Sequence, residues 1–311
     1  MRLPSLSTML CAVLWVMPGA MQIGSAPAAA QTVKRPAITG IAFGRFYTTD
    51  PAAAQKFYGD TLGYKRLEMN GTWVYPVNGS QWIEVLTSPP PPEPNLRMAA
   101  VAFTTRNAAQ LERYLTAHGV KVELPLKAGE FGVRDPEGNL VIFVQSGSNQ
   151  LVAHAPPSPD ATSKRIIHVG FIVRDQAKED AFWHDLLGFR PYWHGGKTDT
   201  VTDWSSSQVP DGTDWLEYML NISPTPTLKQ AGVQNHFSLG VAHMEDAVAA
   251  LKKNKCEGPS CSKTQVGRDG KVQLNLYDPD MTRVEFMEFT AVQPPCCSPF
   301  TGKAPGPIED K

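Results

Sequence analysis

Short apolar runs, each carrying a histidine or a glutamate, set the pattern of the second half of this chain. IIHVGFIV, DWLEYML, HFSLGV and TRVEFMEF have the length and the β-branched and aromatic content of strands, and they carry His168, Glu217, His236 and Glu285. The intervals between these four are 49, 19 and 49 residues, so a His…Glu pair occurs twice at one internal spacing. Side chains alternate across a strand, which puts Ile166, His168, Gly170 and Ile172 on one face and Ile167, Val169, Phe171 and Val173 on the other. His236, Ser238 and Gly240 likewise share a face, and the small residues beside the histidines leave space above them. One such polar residue alone reads as a core group with a hydrogen-bond partner. Four, in a repeat, read as the ligands of one divalent transition metal. Imidazole with carboxylate suits Zn, Ni, Co, Mn or Fe(II) better than Cu(I) or Ca.

The apolar pattern repeats across the whole chain. Thr49-Asp50, an Ala-rich helical stretch, Phe57-Tyr58 and Leu62-Gly63-Tyr64 recur as Asp175, a comparable stretch, Phe182-Trp183 and Leu187-Gly188-Phe189, at an offset of 125 residues. Later in each half come Asp135-Pro136-Glu137-Gly138-Asn139 and Asp278-Pro279-Asp280-Met281-Thr282, turn chemistry between two strands. Ala108 to His118 and Asp246 to Asn254 show helical spacing, as in Leu111 and Leu115 or Ala247 and Leu251. Each half therefore reads as two βαβββ units, an α+β arrangement with four units in all. The halves run over 36–147 and 165–291, joined by a Pro-rich linker at 148–164 and followed by a Cys/Pro-rich tail at 292–311. Pro89 to Pro92 marks a stiff connection inside the first half.

The elements FY…LGY and FW…LLGF, with DPEGN and DPDMT before a final strand, resemble the vicinal oxygen chelate superfamily. That group includes glyoxalase I, methylmalonyl-CoA epimerase, extradiol dioxygenases and bleomycin-binding proteins. The resemblance implies two tandem glyoxalase-like domains, each of paired βαβββ units curled into a cupped half-barrel sheet. It places His168 and His236 at first-strand ligand positions, and Glu217 and Glu285 at last-strand positions. The aligned residues of the first half are Phe43, Glu84, Met98 and Ile142, so that half should keep the fold without the site. Two His and two Glu match the glyoxalase I and epimerase branch, in which Glu285 or Glu217 would also serve as catalytic base for a proton alpha to a carbonyl. An extradiol Fe(II) dioxygenase is the alternative, since His168, His236 and Glu285 alone form a 2-His-1-carboxylate triad. Against it, the resemblance would put a His near Glu217 and a Tyr at Asn275. A metal-free binding protein is the third reading. Each implies a small-molecule partner. His194, in the loop-like Trp193-His194-Gly195-Gly196, is a candidate to touch it, whereas His118, His154, His184 and His243 read as surface or turn residues.

Composition and charge narrow this further. With 29 basic and 30 acidic residues and no basic run, neither nucleic acid nor an anionic membrane surface is an expected partner. Residues 1–30 read as a signal peptide: Arg2, an apolar run from Met9 to Met17 that contains Cys11, and Ala28-Ala29-Ala30 before Gln31. The expectation is an exported protein, periplasmic or secreted, with no membrane attachment after cleavage and no indication of its oligomeric state. Export makes disulfides the default for Cys256, Cys261, Cys296 and Cys297. Neighbouring cysteines rarely bond each other, so two bridges from the tail to the 256–261 loop are expected; a four-thiolate zinc knot is the rival.

Overall fold

The computed structural model describes Met1, residues 33–92 and residues 97–307. The signal-peptide segment after Met1 lies outside the described residues. Among the described residues no helix is long and apolar enough to cross a membrane.

Strand-forming runs assemble into two eight-stranded sheets. In the first half, β1 (Ile38–Tyr47), β2 (Leu67–Met69), β3 (Thr72–Pro76) and β4 (Trp82–Leu86) form one unit, and β5 (Met98–Thr105), β6 (Val122–Lys127), β7 (Glu130–Arg134) and β8 (Leu140–Gln145) form the next. Their order across the sheet is β2-β3-β4-β1-β5-β8-β7-β6. The first and last strands of each unit run parallel, and β1 and β5 join the units antiparallel. The second half repeats this with β9 (Ile166–Ile172), β10 (Arg190–Gly195), β11 (Trp204–Gln208), β12 (Trp215–Met219), β13 (His236–Val241), β14 (Thr264–Val266), β15 (Val272–Tyr277) and β16 (Arg283–Glu288). Its order is β10-β11-β12-β9-β13-β16-β15-β14. The four βαβββ units are as the sequence repeat predicts.

Helices occupy the expected places. α1 (Pro51–Ala54) runs on into a wider turn at Gln55–Thr61, α2 covers Ala108–Ala117, and α4 (Gln176–Asp180) runs on into Ala181–Leu186. α6 covers Met244–Lys253. Asp50, Asn107 and Asp175 cap the first three by accepting from a backbone N–H three residues on, which satisfies donors that the helix leaves unpaired. Two short helices escaped the sequence reading. α3 (Gln150–Ala153) lies in the linker, and α5 (Leu228–Gln234) begins with a capping box made by Thr227 and Gln230. The T-x-x-Q pattern was a legible signal for the second.

One buried core serves both halves. Val101, Phe103 and Phe143 of the first sheet and Phe171, Trp183 and Phe237 of the second belong to it, with Phe103 edge-on to both Trp183 and Phe189. The repeated turn motifs fasten the halves reciprocally. Glu137 of the first turn accepts from the N–H groups of Arg174 and Asp175 (2.7 and 2.8 Å), at the entry to α4. Asp280 of the second turn accepts from Thr49 N and Oγ1 (2.8 and 2.6 Å), at the entry to α1. Each motif therefore does more than turn the chain.

The opposite faces of the sheets differ. In the first half, Ala42, Phe43, Val74, Trp82, Ala100 and Ile142 fill the concavity, and Val152 of α3 packs among them. Strand pairing corrects one sequence alignment. His236 pairs with Gly170, and the equivalent pair in the first sheet is Ala100 with Arg45, so the counterpart of His236 is Ala100 and not Met98. The miss has a physical cause: the register of β1 and β5 shifts near Met98. Ala100 has no donor atom either, and the conclusion that this half lost the ligands stands on Phe43, Ala100 and Ile142.

Several carboxyls are buried between the halves. Asp278 accepts from the Tyr58 hydroxyl at 2.8 Å, and burial pushes its pKa up to about 7. Glu179 accepts from Trp183 Nε1 and Glu137 N; burial, then the nearby Asp135, pushes it up to about 8. A carboxyl whose folded pKa lies above its unfolded value contributes stability that is full below the unfolded value and lost as pH rises through the folded one. The melting temperature should therefore fall as pH rises from about 6 to about 8. Asp278→Asn should flatten that dependence; an unchanged slope in thermal melts across this range would contradict it.

Candidate metal centre

Four central strands of the second sheet, in the order β12, β9, β13 and β16, carry the four candidate ligands side by side. Glu217 and His236 both pair with Gly170, while His168 and Glu285 both pair with Ser238. Small residues at these crossing points give the larger side chains room. A Cβ on Gly170 would lie 2.1 Å from His236 Cε1, so only glycine lets that imidazole lie across β9. The alternation expected for β9 holds at His168 and Gly170 but breaks beside them. Ile166 joins the shared core and Ile167 the cup, because the pairing with β13 shifts there.

His168, His236 and Glu285 converge, each buried, with one donor atom apiece within 4.8 Å of the others. His168 Nε2 lies 3.0 Å from His236 Nε2 and 3.2 Å from Glu285 Oε2, and His236 Nε2 lies 3.9 Å from Glu285 Oε2. Donors about 2.1 Å from a divalent ion lie roughly 3.0 Å apart at right angles and roughly 3.4 Å apart at the tetrahedral angle. The two distances from His168 fit one ion, and the third, from His236 to Glu285, is wider than either angle gives. Glu217 is adjacent but outside the trio: Oε2 is 3.7 Å from His236 Nε2, and Oε1 accepts from Ser206 Oγ at 3.2 Å.

The electrostatics also suit a cation. Burial, then the Arg283 guanidinium and His168, pushes the His236 pKa well below its usual value, so that imidazole is neutral. Its Nδ1 donates to Gln234 O at 2.9 Å, at the end of α5, which fixes the tautomer and aims the Nε2 lone pair inward. Burial alone would raise the Glu285 carboxyl, but Arg283, His168 and Lys271 outweigh it and hold it below the usual range. Glu217 is raised, chiefly by burial. A neutral imidazole and an ionised carboxylate are the protonation states that a metal requires.

A cavity of about 240 Å³ opens beside the trio, lined among others by Trp193, Trp204, Glu217, Arg268, Arg283 and Glu285. The C-terminal segment crosses nearby. Cys296 O accepts from Trp193 Nε1 (3.1 Å), Ser298 Oγ exchanges hydrogen bonds with the backbone of His194, and Phe300 packs on Tyr192. Lys271 Nζ sits over the rings of both Trp215 and Phe300, at 4.7 and 5.3 Å, and burial lowers its pKa to about 8 against the pull of Asp269. Trp215 in turn packs on the His168 ring, centroids 4.8 Å apart.

The structure revises two expectations about these residues. His194 is not in a loop over the cup. It is exposed on edge strand β10, and the neighbouring Trp193 is the residue that lines the cavity. The disulfides do not tie the tail to the 256–261 loop: Cys256 bonds Cys261, and Cys296 bonds its neighbour Cys297. The tail lies along β10 and against Arg268, out of reach of the other pair, so proximity along the chain decides both pairings. Glu84, the one ligand-type residue at the aligned positions of the first half, is held by hydrogen bonds. It is fully buried and accepts from Arg45 Nε (2.5 Å) and Trp82 Nε1 (2.8 Å). A further cluster of Asp199, Cys296 and Cys297 is already engaged by the Arg268 guanidinium, which pairs with Asp199 and reaches Cys296 Sγ at 2.7 Å.

Two tandem cupped domains with a His-His-Glu centre in one of them define a class of metalloprotein fold. The chain matches the family described as Glyoxalase/Bleomycin resistance protein/Dioxygenase superfamily over residues 40–143 and 165–286, and it belongs to that family. Among solved structures it is similar to an extradiol ring-cleaving dioxygenase from Brevibacterium fuscum, at 18% identity and a TM-score of 0.61, over 82% of this chain and 73% of that one. It is also similar to homoprotocatechuate 2,3-dioxygenase from Arthrobacter globiformis, at 19% identity and a TM-score of 0.60, over 83% of this chain and 81% of that one. At such identities the likeness is one of fold. A comparison with curated proteins found no match.

Two substitutions test the centre. His236→Ala should abolish stoichiometric metal retention, and Gly170→Ala, which keeps every ligand but displaces the His236 ring, should weaken it while the protein still folds. Elemental analysis with circular dichroism checks both; full metal content in either variant would contradict the geometry.

Proposed function

We propose that the second half-barrel binds one divalent transition metal through His168, His236 and Glu285 and catalyses proton transfer on a small substrate bearing two vicinal oxygens, as a lyase or isomerase. The observation that carries this reading is the position and state of Glu217. It is a half-buried carboxylate at the cavity wall, 3.7 Å from a ligand nitrogen yet outside the converging trio, and desolvation raises its pKa. Such a group is a stronger base than a fully solvated carboxylate.

A bound metal would supply Lewis-acid polarisation of the substrate oxygens. The chain does the rest. Glu217 takes the proton from the carbon alpha to the carbonyl and returns it at the neighbouring carbon, so that no oxidant is consumed. Ser206 Oγ, donating to Glu217 Oε1, holds the carboxylate toward the cavity. Trp193 and Trp204 give the cavity apolar walls beside the reacting carbon. Glu285, held below the usual carboxylate range, would ligate the metal, which separates the two carboxylates into ligand and base.

A second reading rests on the trio itself. Two His and one carboxylate leave open positions for a catecholate and dioxygen, the set used by non-haem Fe(II) oxygenases. Asn275 stands opposite Glu285, where the resemblance to ring-cleaving members would place a Tyr, and Glu217 stands where it would place a His. These departures favour proton transfer. The export inferred from residues 1–30 belongs to this proposal too, as does a periplasmic or secreted location.

The test is exchange of the alpha proton of simple alpha-hydroxy ketones into deuterated water, followed by NMR with the metal-loaded protein. Wild type should catalyse exchange. Glu217→Gln should keep its metal but lose at least about 100-fold in rate. A yellow ring-cleavage product from catechol with iron bound would instead establish the dioxygenase, and tight small-molecule binding without either reaction a sequestering protein.

A further inference from the structure

The donors of the second cup already hold a cation, and it belongs to the protein. Arg283 lies two residues before Glu285 on β16. Its Nη2 donates to His236 Nε2 at 2.7 Å, and its Nη1 lies 3.9 Å from Glu285 Oε1. The Nδ1 of His236 is committed as a donor to Gln234 O, which leaves Nε2 with a single in-plane lone pair. That lone pair can accept from the guanidinium or ligate a metal, and it cannot do both.

The first half-barrel shows the same chemistry in a cup without ligand histidines. Arg45 occupies the position equivalent to Gly170 and Glu84 the position equivalent to Glu217. The guanidinium of Arg45 is hydrogen-bonded to the fully buried Glu84 and lies over the Phe43 ring, 5.1 Å from its centroid. Apolar side chains, Phe43 and Trp82 among them, pack around this pair. In the second cup Gly170 replaces the arginine, the His236 ring takes the vacated space, and the cation comes from β16 beside an open cavity that Arg283 itself lines.

We propose that Arg283 is the resident counter-cation of the metal-free site, competing with the metal for His236 Nε2 and thereby setting the metal affinity. Arg283 neutralises the buried carboxylates before loading, so the unloaded cup does not carry uncompensated buried charge. Each metal binding event must break the Arg283–His236 hydrogen bond, and the affinity is lowered by the worth of that charge-assisted contact. Arg283 is thus a positioning residue for the metal. The inference rests on the metal reading given above.

The test is calorimetric titration of metal-stripped, full-length protein with Zn²⁺ and separately with Co²⁺, in wild type, Arg283→Gln and Arg283→Lys. Arg283→Gln should bind more tightly by roughly tenfold or more, the size expected for loss of one competing charge-assisted hydrogen bond, and Arg283→Lys should fall between. Binding by wild type with equal or weaker binding by Arg283→Gln would overturn the role of Arg283 alone. No binding by any of the three would overturn that role and the metal reading together. If Arg283→Gln does not fold, arginine side-chain NMR of wild type decides. A guanidinium N–H protected in the stripped protein should lose protection on adding Zn²⁺, and unchanged protection in a metal-loaded sample would contradict the competition.

Discussion

Two imidazole nitrogens 3.0 Å apart, with a carboxylate oxygen 3.2 Å from one of them, set the central constraint of this molecule. Lone pairs converging in a dry interior repel one another unless something positive lies between them. Much of the second domain answers to that need. Gly170 clears space for the His236 ring, α5 ends where Gln234 O can take the Nδ1 proton, and Trp215 backs His168. The same interior keeps Glu285 ionised through Arg283 and His168 while it raises Glu217. Two carboxylates on one sheet thus acquire different protonation behaviour, the usual basis for dividing ligand and base roles.

Duplication explains how such a site is supported. Each half is too open to bury both faces of its own sheet. The two halves share one core on one face and leave the other face for a cup. The reciprocal capping by Glu137 and Asp280 means that each half organises the helix entry of the other. The first cup, with Phe43, Ala100 and Ile142 in place of ligands and Val152 packed among them, has become a second apolar core.

Much of this was legible in the sequence. The 125-residue repeat carried the order of elements in βαβββ units, and the resemblance of its motifs to a known superfamily implied the cupped sheets. The strand positions of His168, His236 and Glu285 followed from apolar runs and alternation. What sequence could not supply were offsets of one or two residues. Ala100 was missed in favour of Met98, and Ile167 was put on the wrong face, because both lie beside register shifts that alternation does not reveal. The disulfides were mispaired because a general preference against bonding neighbouring cysteines outweighed their separation in space, which only the folded tail defines. Trp193 and Arg283 had no signal beyond proximity to other motifs, and their contacts depend on strands distant in sequence.

The account stands or falls on whether one cup takes a cation and the other does not. Anomalous diffraction at the absorption edge of Zn or Co, from crystals of the loaded protein, tests this most directly. The account predicts one peak in the second half-barrel, within coordination distance of His168 Nε2, His236 Nε2 and a Glu285 oxygen, and none in the first. A loaded crystal without that peak, or with an equal peak beside Glu84, would contradict it.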